Sequence, residues 1–384
     1  MISYDFRLFT AMIADDLRRN SYSEALRKAV TKDSIVLDLG AGTGYFSLLA
    51  CSFGAKKVYA VEPNPLIELA KIYARANDFG ERIEFIQKLS TDIELEEKAD
   101  ILIFDLRGGT PFYGSSLSSV IDARNRLVKN DAILIPQVDK VFFTLVEAPG
   151  FYAKNIAKLC QDFSGFQMPE ARRLLTNRVL GGKEDSETFL AVPELFAELD
   201  YTTLEETSYD KNFNFKVIKN GVVHGLRGWF ESQLAEDVSF TNSPEYPETI
   251  YGFPFFPLEE EVEVEEGDVV SVDISVKLER DEYYWYWRTR VLVQGDESKL
   301  KANFNQSTLG GIFSSSDNLR RQSEYFIPEP NLEAEIGKAV LNMMDGETPI
   351  GDIADSLAEN FPGRFKDSDA ALNQVISYSK IYSK

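Results

Sequence analysis

The run Val36-Leu37-Asp38-Leu39-Gly40-Ala41-Gly42-Thr43-Gly44 constrains this chain more than any other. A short apolar stretch ends in three glycines at alternate positions and leads straight into a helical pattern over residues 45–52, so a buried strand must turn sharply into a helix. Glycine suits such a turn because it reaches positive φ and lets another group approach the backbone. In an α/β sheet the turn lies at the carboxyl edge, where ligands bind. Glu62 ends the next apolar run, 58–61, and a carboxylate there can accept hydrogen bonds from both hydroxyls of an adenosine ribose.

Short apolar runs at 35–39, 58–61, 83–86, 99–104 and 132–135 alternate with helical patterns. That alternation predicts a doubly wound parallel sheet covered on both faces. From about residue 137 the pattern changes to many short β-type runs, at 141–146, 213–218, 222–230, 262–264, 269–276 and 283–293, which predict an antiparallel β-barrel. Residues 151–180 read as helical and mixed and interrupt it like an inserted arm. After Ile327-Pro328-Glu329-Pro330 three short helices are expected. Leu332, Ile336, Val340 and Met343 keep helical spacing until Asp345-Gly346. Thr348 then reads as an N-cap with Pro349 at the first helical position, and a third helix starts near Asp367. The expected fold class is α/β followed by β and a small helical domain, divided at 1–136, 137–328 and 329–384.

Sixty-two acidic against 41 basic residues leave a formal charge of −21 over 384 residues, which serves phosphate neutralisation poorly and argues against a nucleic-acid partner. Cys51 and Cys160 cannot build a disulfide framework or a thiolate cluster, and a lone His224 removes His-rich metal sites, so no metal is expected. No segment approaches the ~20 apolar residues of a membrane span. A cytoplasmic protein without a membrane partner is the expectation. The acidic run 258–268, with seven carboxylates, reads as a solvated strand and turn or as an attractor of basic peptide.

Asp38 before the glycines and Glu62 after them separate this loop from the G-x-G-x-x-G of dinucleotide enzymes. D-x-G-x-G-x-G with an acidic end on the second strand is similar to the loop of S-adenosylmethionine-dependent methyltransferases. On this reading Asp38, Gly40, Gly42, Gly44 and Glu62 bind S-adenosyl-L-methionine, with Ser90 and Thr91 counted with them. A tight turn and a solvated strand end would explain each residue singly, but not the set.

Over nearly all of residues 4–295 the chain resembles the protein arginine methyltransferase family. Met12-Ile13-Ala14-Asp15-Asp16-Leu17-Arg18 with Tyr22 matches that family's M-L-x-D-x-x-R-x-x-x-Y helix, which implies that Arg18 pairs with the methionine carboxylate of the cofactor. Gly54-Ala55-Lys56-Lys57-Val58, Ala123-Arg124, Ile135-Pro136, His224, Trp229-Phe230 and Ser243-Pro244-Glu245 are also similar to family stretches. These imply its β-barrel, with His224 a packed residue rather than a catalyst. The arm corresponds to the region through which the family forms head-to-tail dimers, so the resemblance implies a homodimer.

The departures bear on the acceptor. Where the family reads S-E-W-M-G-Y and ends at a second Glu, this chain reads Phe104-Asp105-Leu106-Arg107-Gly108-Gly109-Thr110-Pro111-Phe112-Tyr113-Gly114. Asp105 stands at the first Glu and Gly114 at the second. A desolvated guanidinium needs bidentate carboxylate partners, and one shortened carboxylate remains. The family's T-H-W loop is Thr249-Ile250-Tyr251 here. The expectation is methyl transfer to a peptide or protein side chain that need not be arginine, with Asp105 orienting or deprotonating the acceptor and Tyr113 second; Asp105 as a mere loop cap is the plain alternative. Arg107 either holds an anionic group of the acceptor or is a solvated loop residue. An inactive methyltransferase-like scaffold or peptide-binding protein is the rival function, and a small-molecule methyltransferase the third.

Asp345-Gly346-Glu347-Thr348 followed by Ile353-Ala354 resembles the helical part of PqqD-like domains, winged-helix-like modules that recognise leader peptides of ribosomally made, modified peptides. The resemblance implies a peptide substrate, a ribosomal precursor peptide included, gripped away from the active site. Residues 324–327 would supply the module's missing strand. A DNA-binding winged helix, disfavoured by the acidity, and a three-helix cap are the other readings.

Overall fold

Five apolar runs in the first third of the chain become five parallel strands; the three central ones are buried almost throughout under the helices, and the two edge strands keep exposed residues. In the computed structural model the described residues are 6–161, 164–166, 170–184, 186–279, 281–294, 296–312, 315–321 and 323–383. They form two units, Met1–Phe313 and Ser314–Lys384.

The first unit opens with α1 (Phe6–Ala14) and α2 (Asp16–Ala29), followed by β1 (Ile35–Leu39), α3 (Tyr45–Ser52), β2 (Lys57–Val61), α4 (Ile67–Ala76), β3 (Ile83–Ile86), β4 (Ala99–Phe104), α5 (Ser116–Arg126) and β5 (Val128–Ile135). The sheet order is β3-β2-β1-β4-β5, with every pairing parallel. Connections run to opposite sides of β1, so the order reverses between β1 and β4. The crevice outside their carboxyl ends is where such a sheet binds ligands.

The β-rich part comprises β6 (Val138–Glu147), α6 (Pro149–Asn155), α7 (Glu170–Thr176), β7 (Thr188–Phe189), β8 (Glu194–Asp200), β9 (Tyr209–Lys216), β10 (Gly221–Ala235), β11 (Val238–Thr241), β12 (Phe255–Val264), β13 (Val269–Glu279), β14 (Glu282–Val293) and β15 (Asp296–Ser307). One sheet has the order β11-β10-β6-β7, with β12 also on β10 and β8 also on β6; the other has the order β15-β14-β13-β9. Their apolar faces meet in an aromatic core. Trp285 lies 5.9 Å from Phe143, 5.7 Å from Phe196 and 5.1 Å from Phe256, ring centre to ring centre. Phe112, in the loop after β4, reaches the same core at 5.5 Å from Trp285. That contact, of a kind giving about 0.5–1.5 kcal/mol beyond area burial, pins the loop that bears Asp105 and Tyr113.

His224 is buried in β10, where its Nδ1 lies 3.2 Å from the Ala148 N–H and its ring stacks edge-on against Tyr152. In the acidic run, Glu259 and Glu260 are exposed. Asp268 is not: it is buried, bonded to Lys301 at 2.7 Å and to the Glu265 and Gln294 N–H groups. The inserted arm contains α6 and α7, and residues 162–163 and 167–169 of it lie outside the described set.

The second unit holds α8 (Ser316–Arg321), α9 (Leu332–Met343), α10 (Ile350–Asn360) and α11 (Ser368–Tyr382). Ile336, Val340, Ile353, Leu357, Phe365 and Val375 form its own core. Asn331 and Asp367 cap α9 and α11 through bonds of 2.9 Å from Ala334 N and Ala370 N. The expected Thr348 cap is corrected. Asp345 takes the Thr348 N–H at 2.7 Å and its hydroxyl at 2.9 Å, and Pro349 itself occupies the N-cap. Residues 324–327 form a turn and irregular chain rather than a strand, with Tyr325 and Ile327 exposed. Among the described residues no helix is long and apolar enough to cross a membrane, and no group of three His, Cys, Asp or Glu side chains could hold a metal ion.

Candidate active site

The glycine loop leaves β1 and is tied at once to the end of β2, where Gly40 N–H and Ala41 N–H both donate to Val61 O at 2.9 and 3.0 Å. Gly42 has φ +53°, and a Cβ on it would lie 2.6 Å from the Phe9 ring of α1. Gly40, at φ +75°, would bring a Cβ to 2.3 Å from Leu106. The positive φ disfavours a side chain at both positions, and at Gly42 the Phe9 ring also occupies the space. Gly44 caps α3 in the left-handed conformation.

Glu62 follows β2 and is buried; its two oxygens accept the Gly42 N–H at 2.9 Å and the Asn64 N–H at 2.8 Å. One bond per oxygen leaves further acceptor capacity on each. Burial raises the Glu62 carboxyl above its ordinary pKa, and the two backbone donors oppose that rise. Asp38, at the end of β1, is fully buried and accepts the Ser47 hydroxyl at 2.6 Å. Its pKa is pushed up to about 7 by burial.

A cleft of about 420 Å³ opens at the carboxyl ends of β1 and β4. Gly40, Glu62, Ser90, Asp105 and Tyr113 line it together, and Leu8, Phe9 and Met12 of α1 form an apolar wall. Of the other residues singled out from the sequence, Asp38, Gly42 and Gly44 lie in or beneath the loop without lining the cleft, and Arg18 is buried beside Asp105. Thr91 is exposed and does not line the cleft. The size suits a nucleoside with a short tail. The glycines admit such a ligand to the backbone, and Glu62 has acceptors left for two hydroxyls.

Asp105 is the centre of a closed polar cluster. Its Oδ2 takes Arg18 Nε at 2.6 Å, and its Oδ1 lies 3.1 Å from Arg107 Nε. The Tyr251 hydroxyl lies 2.7 and 2.8 Å from the two oxygens, and the Tyr22 hydroxyl 3.3 Å from Oδ1. Burial alone would raise the Asp105 carboxyl; Arg18 and then Arg107 outweigh it and hold its pKa below the usual carboxylate value. Both sequence alternatives for Arg107 are corrected by this geometry. It is neither solvated nor open to an anion, since its guanidinium donates to Asp139 at 2.9 Å, to Ser232 at 3.2 Å and to Tyr22 at 3.1 Å, over the Phe230 ring.

Asp139, Tyr201 and Asn242 are the members of this site that sequence reasoning missed, and Tyr251, placed in the counterpart of the T-H-W loop, was given no role there. Asp139 takes the Tyr201 hydroxyl at 2.6 Å. It sits on β6 in phase with buried Val141, Phe143 and Leu145, and that parity was the signal that could have found it. Asn242 donates to Gly109 O at 3.0 Å and to Gly252 O at 2.9 Å, clamping the loop after β4 to the loop that carries Tyr251.

Residues 6–133 match the family described as TRM5/TYW2 methyltransferase domain, and residues 153–336 match the PRMT5 oligomerisation domain. Protein arginine N-methyltransferase 6 of Xenopus tropicalis is 28% identical over 282 residues, spanning 70% of this chain and 83% of the relative. Protein arginine N-methyltransferase 1 of Chlamydomonas reinhardtii is 27% identical over 274 residues, 69% of this chain and 79% of the relative. The fold is similar to that in the Trypanosoma brucei PRMT1 enzyme-prozyme heterotetrameric complex with AdoHcy, at 21% identity and a TM-score of 0.71, covering 79% of this chain and 98% of the other. It is also similar to Arabidopsis thaliana protein arginine methyltransferase 10, at 20% identity and a TM-score of 0.68, covering 79% and 97%.

Proposed function

We propose that this chain, which belongs to the protein arginine methyltransferase-like family and is an S-adenosylmethionine-dependent methyltransferase, acts on a side chain of a peptide or protein. The observation that carries the reading is Glu62, a buried carboxylate with unused acceptors at the mouth of a glycine-lined cleft beside the point where the strand order reverses. Glu62 holds the ribose hydroxyls, the loop from Gly40 to Gly44 gives the ligand close access to backbone, Asp38 supports the loop from beneath, and Ser90 lines the same cleft. Arg18 is assigned to the methionine carboxylate. When bound, S-adenosylmethionine supplies a methyl group already activated on a sulfonium. The chain's own task is then to place the acceptor lone pair in line and to let one proton leave.

Asp105 is placed here as a positioning residue, since Arg18, Arg107 and Tyr251 already engage both of its oxygens. Tyr113, exposed at the cleft, is the nearer candidate to touch the acceptor. The saturation of Asp105 also favours the second reading, a methyltransferase-like scaffold or peptide-binding protein that binds cofactor without turnover. The relative from Trypanosoma brucei is part of an enzyme-prozyme heterotetramer. For this chain we propose a homodimer through the region around 151–180, and a peptide-gripping role for the second unit.

The test is incubation of the full chain with methyl-tritiated S-adenosylmethionine and a lysate of the source cells. Label retained on dialysis supports a peptide or protein acceptor. A dialysable labelled product that chromatography separates from the donor points to a small molecule, and no labelled product with intact S-adenosylhomocysteine binding points to the scaffold.

A further inference from the structure

We propose that Arg107 permanently fills the cation position in the acceptor part of the cleft, so that the site takes an acceptor without charge. The inference rests on the methyltransferase reading and concerns the acceptor alone.

The Arg107 side chain is 2% exposed, and Asp105 and Asp139, which it joins, are 4% and 0% exposed. Arg18, paired with Asp105, is 6% exposed. Two guanidinium groups and two carboxylates therefore balance inside the protein, and S-adenosylmethionine, whose carboxylate is matched by its own ammonium beside the sulfonium, adds no net negative charge. An incoming cation would find both Asp105 oxygens engaged and would face Arg18 and Arg107 with like charge, a juxtaposition that disfavours binding strongly. The other carboxylate among the described residues lining the cleft is Glu62, which the cofactor requires.

The cleft nevertheless has room there. A Cβ on Gly114 would meet nothing within 4 Å, and the cleft lining includes Leu106, Ile250, Tyr113 and Ser119, apolar or hydroxylic. That surface fits an uncharged alcohol, thiol or amide. Such an X–H group forms the X–CH₃ bond with its lone pair, the electron pair of the broken S–CH₃ bond stays on sulfur, and the proton passes to solvent.

A matched pair of ligands tests this on the full chain. Each is 5′-deoxyadenosine extended at C5′ by the same short alkyl chain, ending in guanidinium in one and in its neutral isostere, urea, in the other. Calorimetry is expected to show the urea binding at least about tenfold tighter, with the preference lost or reversed in the double variant R107M/D139N, which removes one charge of each sign together. Equal affinities, or tighter binding of the guanidinium by the unaltered chain, overturn the proposal. So does a folded R107M/D139N chain with the urea preference intact; should that variant not fold, the comparison on the unaltered chain decides. Failure of the unaltered chain to bind S-adenosylhomocysteine would instead remove the cofactor reading, and this inference with it.

Discussion

Arg18 and Asp105 stand 87 residues apart in sequence and meet in a buried salt bridge, Nε to Oδ2, of 2.6 Å. The helix that carries Arg18 and the strand end that carries Asp105 are thereby fixed to each other beneath the cleft. Asp105→Ala would leave Arg18 and Arg107 buried without a shared anion, and the expected loss is about 3–5 kcal/mol of unfolding free energy, read by urea denaturation. Tyr251→Phe removes a donor to a charged group and is expected to cost less, about 1.5–3 kcal/mol. Because the folded pKa of Asp105 is depressed, its stabilisation is present above the unfolded carboxylate pKa and is lost as pH falls through the folded value.

Asp38 has the opposite sign. Its folded pKa of about 7 lies above the unfolded 3.8, so between those values the folded chain binds the extra proton and stability falls as pH rises. Relative to Asp38→Asn, the chain should lose up to about 1.4 kcal/mol per pH unit from pH 4 to 7 and level off above. A melting series of both proteins over that range checks it; a constant gap would contradict it.

Gly42→Ala places a Cβ 2.6 Å from the Phe9 ring at φ +53°. The expected cost is about 1–3 kcal/mol, together with loss of the thermal stabilisation that S-adenosylhomocysteine gives the unaltered chain. Retention of that stabilisation would mean that the loop does not approach the ligand.

Deletion of residues 314–384 removes a unit with its own apolar core. Cofactor binding should stay within about twofold, while methyl transfer to a peptide carrying its leader should fall by about tenfold or more through loss of tethering. Unchanged transfer would argue for the three-helix cap.

The parallel sheet and its glycine loop were legible because their signals are local: five apolar runs, three glycines at alternate positions, and an acid at the next strand end. Strand β15, with Leu300, Ala302 and Phe304 as its apolar phase among charged neighbours, was not legible, since it gains its place from pairing with β14 rather than from its own pattern. The acceptor side was legible only in part. Asp105 and Arg107 could be picked out in the loop, but their partners Asp139 and Tyr251 come from a β6 strand and a loop 34 and 146 residues beyond Asp105, and only the folded chain decides whether a charge is solvated or enclosed.

Isothermal titration of S-adenosylhomocysteine into the unaltered chain and into Glu62→Ala tests the central claim most directly. One site per chain is expected, weakened by about 10–100-fold when the carboxylate is removed. No heat from the unaltered chain, or equal affinity in both, would contradict the account.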